Sequence, residues 1–274
     1  MTSHELDLPS LRLLTERFAR IAGAVVLSHY ERPHTETEKS SIRDVVTEGD
    51  QASEEILLSE FRKHTPNFGV QSEEKGGFDV EGGRYVWVID PIDGTTNFSN
   101  NLPYFSISIA LADAATNRPL VGAVYNPVYN EMFSAALGHG ATMNGRPIQV
   151  SSARSLDRAV LASGFSYNRD THEIRNMKQW TAMLAECRDL RRFGSAALDL
   201  CSVACGRLEG YWEGSMNAWD VMAGLLVVTE AGGTVTDYVG AVSDALYNGV
   251  EVVASNGPLH DNIVAVLVRT GARA

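Results

Sequence analysis

Two aspartates three residues apart, Asp90 and Asp93, stand at the end of an apolar run, Trp87-Val88-Ile89, and are followed by Gly94-Thr95-Thr96-Asn97-Phe98. An apolar run of this kind reads as a buried strand. Carboxylates at its end are held where few groups can neutralise them, and two such charges are costly unless a cation lies between them. Gly94-Thr95-Thr96 then offers backbone N–H groups and hydroxyls to an anion, as the start of a helix does. Cation ligands beside anion donors point to metal-assisted phosphate chemistry. In isolation Asp93-Gly94 would be a turn and either threonine a helix cap. The apolar lead-in and the Thr-Thr pair favour a site.

Other acids can join this pair. Glu73 follows a short predicted strand ending in Ser72-Glu73-Glu74. Hard cations such as Mg²⁺ take carboxylate, carbonyl and water oxygens. Glu73, Asp90 and Asp93 are therefore candidate ligands, and the carbonyl of Ile92, beside the stiff Pro91, can turn toward the same ion. Asp220 lies in the first turn of a helix expected over 219–231, where a carboxylate also complements the helix dipole. Within Asp44-Val45-Val46-Thr47-Glu48-Gly49-Asp50, Thr47 or Asp50 can cap the next helix. Asp44 has no evident structural task and is read as orienting a hydroxyl that activates water.

These groups need elements to position them. Helical spacing runs over 9–30, with Ser10 as the expected cap, and a second helix over 50–63. The polar stretch 31–42 reads as a loop. Strands are expected over 68–74, 85–89, 105–111, 120–126 and 131–136, with glycine-rich turns after the last. Beyond about residue 150 strands and helices alternate. The strands fall at 158–163, 189–193, 210–213, 234–237 and 250–254. The helices fall at 176–185, 195–205, 219–231 and 258–268. The pattern predicts an α+β fold in two intimate halves, 1–150 and 151–274, that share one site.

The whole chain narrows the chemistry. At 274 residues it suits one large domain or two closely joined halves. A hydrophobic fraction of 44% and a charged fraction of 21% are those of a globular protein. The formal charge of −11 disfavours nucleic acid and anionic membrane as direct partners. Each Mg²⁺ adds two charges, so two ions bring −11 to −7 and make the site itself cationic. Cys187, Cys201 and Cys205 form no paired framework, which fits reduced thiols in a cytoplasmic protein. Cys201 and Cys205 are expected to be buried apolar residues, since no second Cys/His pair completes a zinc site. Met1-Thr2-Ser3-His4-Glu5-Leu6-Asp7 lacks the basic and apolar regions of a signal peptide. No apolar run reaches the ~20 residues of a membrane helix. There is no P-loop sequence, no G-x-G-x-x-G and no nucleophile elbow.

Taken together, these residues resemble the inositol monophosphatase family, within the fructose-1,6-bisphosphatase-like, lithium-sensitive phosphatases. The resemblance rests on the segment running from Asp90 through Phe98 and on Trp219-Asp220-Val221-Met222-Ala223-Gly224 with Glu230-Ala231-Gly232-Gly233. Asp44-Val45-Val46-Thr47, Ser72-Glu73-Glu74 and Gly194-Ser195-Ala196-Ala197 also match, although a glycine commonly stands where this chain has Ser72. The resemblance implies a layered αβαβα sandwich, a homodimer and two or three Mg²⁺ ions. It implies that Glu73, Asp90, Asp93, Asp220 and the Ile92 carbonyl bind metal, and that Thr95 paired with Asp44 deprotonates the attacking water. Gly94, Thr95 and Thr96 would hold the phosphate. Asp93, Gly194, Ser195, Ala196, Glu213 and Asp220 would line the alcohol side. Residues 166–188 follow no family pattern.

The expected reaction is hydrolysis of a phosphate monoester, myo-inositol 1-phosphate first. Histidinol phosphate, fructose 1,6-bisphosphate and 3′-phosphoadenosine 5′-phosphate are the rival substrates. Asn97-Phe98 is more similar to the inositol branch, and Glu213 suits sugar-like hydroxyls. A regulatory role through binding the transcription machinery, as in some bacterial relatives, is the alternative from another class.

Overall fold

The computed structural model describes residues 6–33, 35–41, 44–74, 76–166 and 176–271. Helix α1 (Leu8–His29) and helix α2 (Glu48–His64) flank a two-stranded hairpin, β1 (Thr37–Ser41) and β2 (Asp44–Val46). Then come β3 (Gly69–Ser72), β4 (Tyr85–Asp93), the short α3 (Thr95–Ser99), β5 (Ser106–Asp113), β6 (Arg118–Asn126), β7 (Glu131–Ala136), β8 (Ala141–Met143) and β9 (Arg146–Pro147). The remaining elements are β10 (Val160–Ser163), α4 (Met177–Leu184), β11 (Asp189–Arg191), α5 (Ala196–Ala204), β12 (Gly210–Gly214), α6 (Ala218–Glu230), β13 (Thr234–Thr236), β14 (Glu251–Ser255) and α7 (His260–Arg269).

Strands β3 to β9 form one seven-stranded sheet in sequence order, antiparallel except for the β3–β4 pair. A second, five-stranded sheet has the order β11-β10-β12-β14-β13 and is parallel across its first three strands. One face of the larger sheet carries α1 and α2, where Phe18, Phe61 and Trp87 make an aromatic cluster. Its other face meets α5 and α6, whose apolar residues fill the space between the two sheets. Helices α4 and α7 cover the far side of the smaller sheet. The result is the layered αβαβα sandwich that the resemblance implies. No helix among the described residues is long and apolar enough to cross a membrane.

Local chemistry explains several boundaries and corrects others. Asp7, not Ser10, caps α1: its carboxylate accepts from the Ser10 amide at 3.1 Å and the Ser10 hydroxyl at 2.6 Å. Pro9 in the first turn needs no amide partner there, so the helix begins ahead of Ser10. Part of the stretch read as a loop over 31–42 is β1, which pairs with β2 from Thr37 opposite Val46. Alternation of polar side chains carries no apolar signal, so this exposed hairpin escaped periodicity. Strands β8 and β9 fall where the sequence predicts turns, because Gly138, Gly140, Asn144 and Gly145 flank and separate them.

Helix α6 lies unusually close to the larger sheet. A methyl group at Gly122 on β6 would sit 2.9 Å from the Ala223 carbonyl oxygen and 3.1 Å from its Cα. Backbone cannot yield as a side-chain tip can, so Gly122 sets the distance between sheet and helix. Gly122→Ala should therefore destabilise by about 1–3 kcal/mol through overpacking. The check is a lowered urea midpoint with an unchanged slope; an unchanged midpoint would contradict the close contact.

Candidate active site

The site begins with a break in strand alternation. Along β4, Trp87 and Ile89 face α1 and α2, while Val88 faces α5 and α6. Asp90 follows Val88 on the second face. Three residues further on, Asp93 would point the opposite way in a regular strand. The pairing with β5 shifts here: Asp90 lies opposite Ser108 and Asp93 opposite Ser106. Three steps on β4 match two on β5, a β-bulge at Pro91-Ile92. The extra residue brings Asp93 to the face that holds Asp90 and sends Ile92 into the apolar core.

Asp93 then meets the N-terminus of α5, and Asp220 joins the pair from the first turn of α6. Asp93 accepts from the Ala196 amide at 3.2 Å, the Ala197 amide at 2.9 Å and the Ser195 hydroxyl, all at the start of α5. Asp220 sits in the first turn of α6, where it accepts from the Asn217 amide at 2.7 Å. Cap and site residue are thus the same group. One carboxylate oxygen from each of Asp90, Asp93 and Asp220 lies within 4.8 Å of the others. This trio of hard oxygen donors, without a cation of its own among the three, has the chemistry of a divalent-cation site.

Burial pushes the Asp90 carboxyl well above the ordinary carboxylate range, and the neighbouring Glu73, Asp93 and Asp220 push it further. Burial raises Asp220 likewise, with Glu73 adding to it. Asp93 is raised to about 6 by burial, held there against the hydrogen bonds from Ser195, Ala197 and Ala196. Glu73 stands at the rim and pairs with Lys39 on β1 at 2.8 Å; Lys39 also contacts Glu74. Burial pulls the Lys39 ammonium down, but the paired Glu73 and Glu74 more than offset this and hold it above its ordinary value. Sequence reasoning missed Lys39, since a lone lysine in a polar stretch carries no signal.

Thr95 begins α3, with Gly94 at φ +96° as its cap. A side chain at Gly94 would be strained by that angle and would approach the Gly194 and Tyr104 carbonyls. The amides of Thr95 and Thr96, in the first turn, have no helical acceptor. The Thr95 hydroxyl donates to the Ile92 carbonyl at 3.0 Å and to Asp50 at 3.1 Å. The expected partner was Asp44, and this pairing is corrected. Asp50 is the third residue of α2 and is fully buried, and its second oxygen accepts from the Thr47 amide at 2.8 Å and hydroxyl at 2.6 Å. That capping box aims its first oxygen at Thr95. Burial raises Asp50 to about 6 against those Thr47 hydrogen bonds. Asp44 opens β2 and lines the cavity instead.

The cavity has a volume of about 630 Å³. Glu73, Asp93, Gly194, Ser195, Ala196, Glu213 and Asp220 form its wall, with Asp90 buried behind them. Glu213 accepts from the Tyr211 hydroxyl at 2.5 Å, and burial lifts it to about 7 despite that bond and the nearby Arg192. Residues 167–175, within the stretch without a family pattern, lie outside the described residues. Cys201 is buried in the core, and the three cysteines are free thiols.

Comparison with known proteins agrees with this geometry. The inositol monophosphatase family profile matches residues 8–272. The chain belongs to the inositol monophosphatase family. An inositol-1-monophosphatase of Synechocystis is 41% identical over 249 residues, covering 91% of this chain and 85% of that relative. The Nus factor SuhB of Escherichia coli is 41% identical over 225 residues, covering 82% of this chain and 84% of that protein. The solved inositol monophosphatase of Anabaena superimposes with a TM-score of 0.86 at 37% identity, covering 96% of this chain and 97% of its own. Membership supports a phosphatase of this superfamily acting on small phosphate esters, and the acidic cluster is one that can bind a metal.

The raised carboxyls give a pH signature. A folded-state pKa above the unfolded value means that the native protein holds extra protons. For Asp93 that stabilisation is full below about pH 3.8 and is lost as pH rises through about 6. Asp90→Asn removes one repelling charge. In EDTA between pH 5 and 8, the variant should gain stability over the parent as pH rises, and Mg²⁺ should stabilise the parent alone. Urea midpoints across that range measure it; a pH-independent difference would contradict the repulsion.

Proposed function

We propose that this chain is a Mg²⁺-dependent phosphomonoesterase that hydrolyses myo-inositol 1-phosphate, or a related inositol or sugar phosphate, to the free alcohol and phosphate. The observation that carries the reading is the trio Asp90, Asp93 and Asp220 within 4.8 Å, beside a threonine hydroxyl bonded to a buried carboxylate. Asp90, Asp93, Asp220, Glu73 and the Ile92 carbonyl would hold two or three ions. When bound, the cation supplies Lewis acidity to phosphate oxygens and lowers the pKa of a nearby water.

The chain's own groups do the rest. The single Thr95 hydroxyl proton is shared between the Ile92 carbonyl and Asp50, so its oxygen remains open to accept a hydrogen bond from water. A proton leaving that water passes to Thr95 Oγ1 as the threonine proton passes to Asp50 Oδ1. A carboxyl at about 6 suits a base working near neutrality. Amides of Gly94, Thr95 and Thr96 face the phosphate oxygens as charge develops. Asp93, Gly194, Ser195, Ala196, Glu213 and Asp220 bound the space for the alcohol. Glu213, near neutral in pKa, suits sugar-like hydroxyls and favours an inositol ester over histidinol phosphate, fructose 1,6-bisphosphate or 3′-phosphoadenosine 5′-phosphate.

Exposed Phe193 stacks on the Tyr104 ring, exposed Tyr129 lines the same hollow as Tyr104, and Leu102 is exposed two residues before it; these suit the interface of a homodimer. Light scattering should then give a mass near twice the 29.8 kDa chain. A second reading, protein binding alongside catalysis, is favoured by the relatives named Nus factor. Retention of a binding partner by a turnover-dead Asp93→Asn protein would support it.

The catalytic reading is tested by phosphate release over a panel of esters with Mg²⁺, with and without lithium, which should inhibit. Asp93→Asn should abolish turnover while the protein stays folded. Asp50→Asn should lower kcat by roughly 10²–10⁴-fold with little change in KM. Asp44→Asn should cost far less. Equal losses in the Asp50 and Asp44 variants would overturn the proton path, and near-normal turnover in Asp93→Asn would overturn the assignment.

A further inference from the structure

One buried acid on the cavity wall has no place in the scheme above. Asp199 lies one helical turn below Ala196 on α5, is 2% exposed and lines the cavity. Residues three apart on a helix share a face, so Ala196 and Asp199 look into the same space. The Tyr104 hydroxyl donates to its Oδ1 at 2.9 Å, and Ser202 Oγ lies 3.5 Å from that hydroxyl. Tyr104 and Ser202 line a separate hollow of about 290 Å³ behind the helix. Asp199 is thus held from the side away from the cavity. Among the described residues, no side chain hydrogen-bonds to its other oxygen.

The surroundings select what that oxygen meets. Glu213 and Asp93 act on Asp199 as like charges and Arg192 as an opposite charge. Two carboxyls with a guanidinium nearby suit a compact group with several hydroxyls, since each carboxyl accepts from hydroxyls and the guanidinium donates to their oxygens. A planar aromatic leaving group would leave Asp199 unpaired, which is costly for a desolvated acid.

We propose that Asp199 is a specificity-determining residue that accepts a hydrogen bond from a ring hydroxyl of a polyol phosphate, and that Tyr104 is the positioning residue that holds it. The proposal rests on the phosphatase reading for the identity of the cavity but not for its test. Tyr104 packs against Phe193 with ring centroids 4.8 Å apart, and Phe193 directly precedes Gly194 and Ser195 on the same wall. The positioning group is therefore built into the segment that bounds the alcohol space.

The test is calorimetric binding of myo-inositol 1-phosphate and of inorganic phosphate, both with Ca²⁺ present, to the full chain and to Asp199→Ala, Asp199→Asn and Tyr104→Phe. Asp199→Ala should weaken the polyol ester by at least ~10-fold and inorganic phosphate by less than ~3-fold, the scale of one buried hydrogen bond lost. Tyr104→Phe should show a smaller loss with the same selectivity, and Asn, which keeps an acceptor, should recover part of it. Equal weakening of both ligands, or no weakening of the polyol ester, in any folded variant would overturn the proposal. Turnover of p-nitrophenyl phosphate by the unaltered protein reports separately on the phosphatase reading. Failure there with selective binding intact would overturn the chemistry and leave Asp199 as a polyol contact.

Discussion

The mutual repulsion of three enclosed carboxylates is the constraint on which the rest of this structure depends. Asp90, Asp93 and Asp220 come within 4.8 Å of one another away from bulk water. At an effective dielectric constant of ~20, each fully charged pair at that distance costs about 3.5 kcal/mol. Among the described residues no cationic side chain stands among the three; Lys39 is engaged by Glu73 and Glu74 at the rim. The fold therefore stores an electrostatic cost that a divalent cation relieves. Such stored cost is common where structure serves chemistry rather than stability.

The architecture can be understood as the means of holding that cluster together. The bulge at Pro91-Ile92 turns Asp93 onto the face of Asp90. The first turns of α5 and α6 then close over the pair, one giving amides to Asp93 and the other supplying Asp220. Both helices lie between the two sheets and share one apolar core with each. Gly122 and Ala223 fix how near α6 approaches the larger sheet. The cluster thus draws its acids from β4 and from α6, elements more than 120 residues apart in the chain. On the opposite side of the larger sheet, the capping box of α2 presents Asp50 to Thr95, so a helix-start device also fixes the carboxylate that meets the Thr95 hydroxyl.

Much of this was legible in the sequence because it is local. Strands β3 to β7 of the larger sheet and the two central helices are strongly apolar, and the acid-rich segments at their ends announced the cluster. What escaped was long-range or conformational. Asp44 and Asp50 share one acidic segment some 45–51 residues before Thr95, and only the capping box decides which one faces it. The 31–42 stretch lacks apolar alternation, so β1 and its Lys39 were invisible. Asp199 sits within an apolar helix, and its polar environment comes from Tyr104, 95 residues away in sequence. Serine or threonine near a helix start suggests a cap, yet at α1 the carboxylate three residues earlier took that task.

The most direct measurement is the anomalous scattering of Mn²⁺ diffused into crystals of the protein. The account places manganese among the carboxylates of Asp90, Asp93 and Asp220, with that density lost in Asp90→Asn crystals that otherwise superimpose. Well-ordered crystals with the three carboxylates in place and no manganese between them, or with manganese bound only elsewhere, would contradict it.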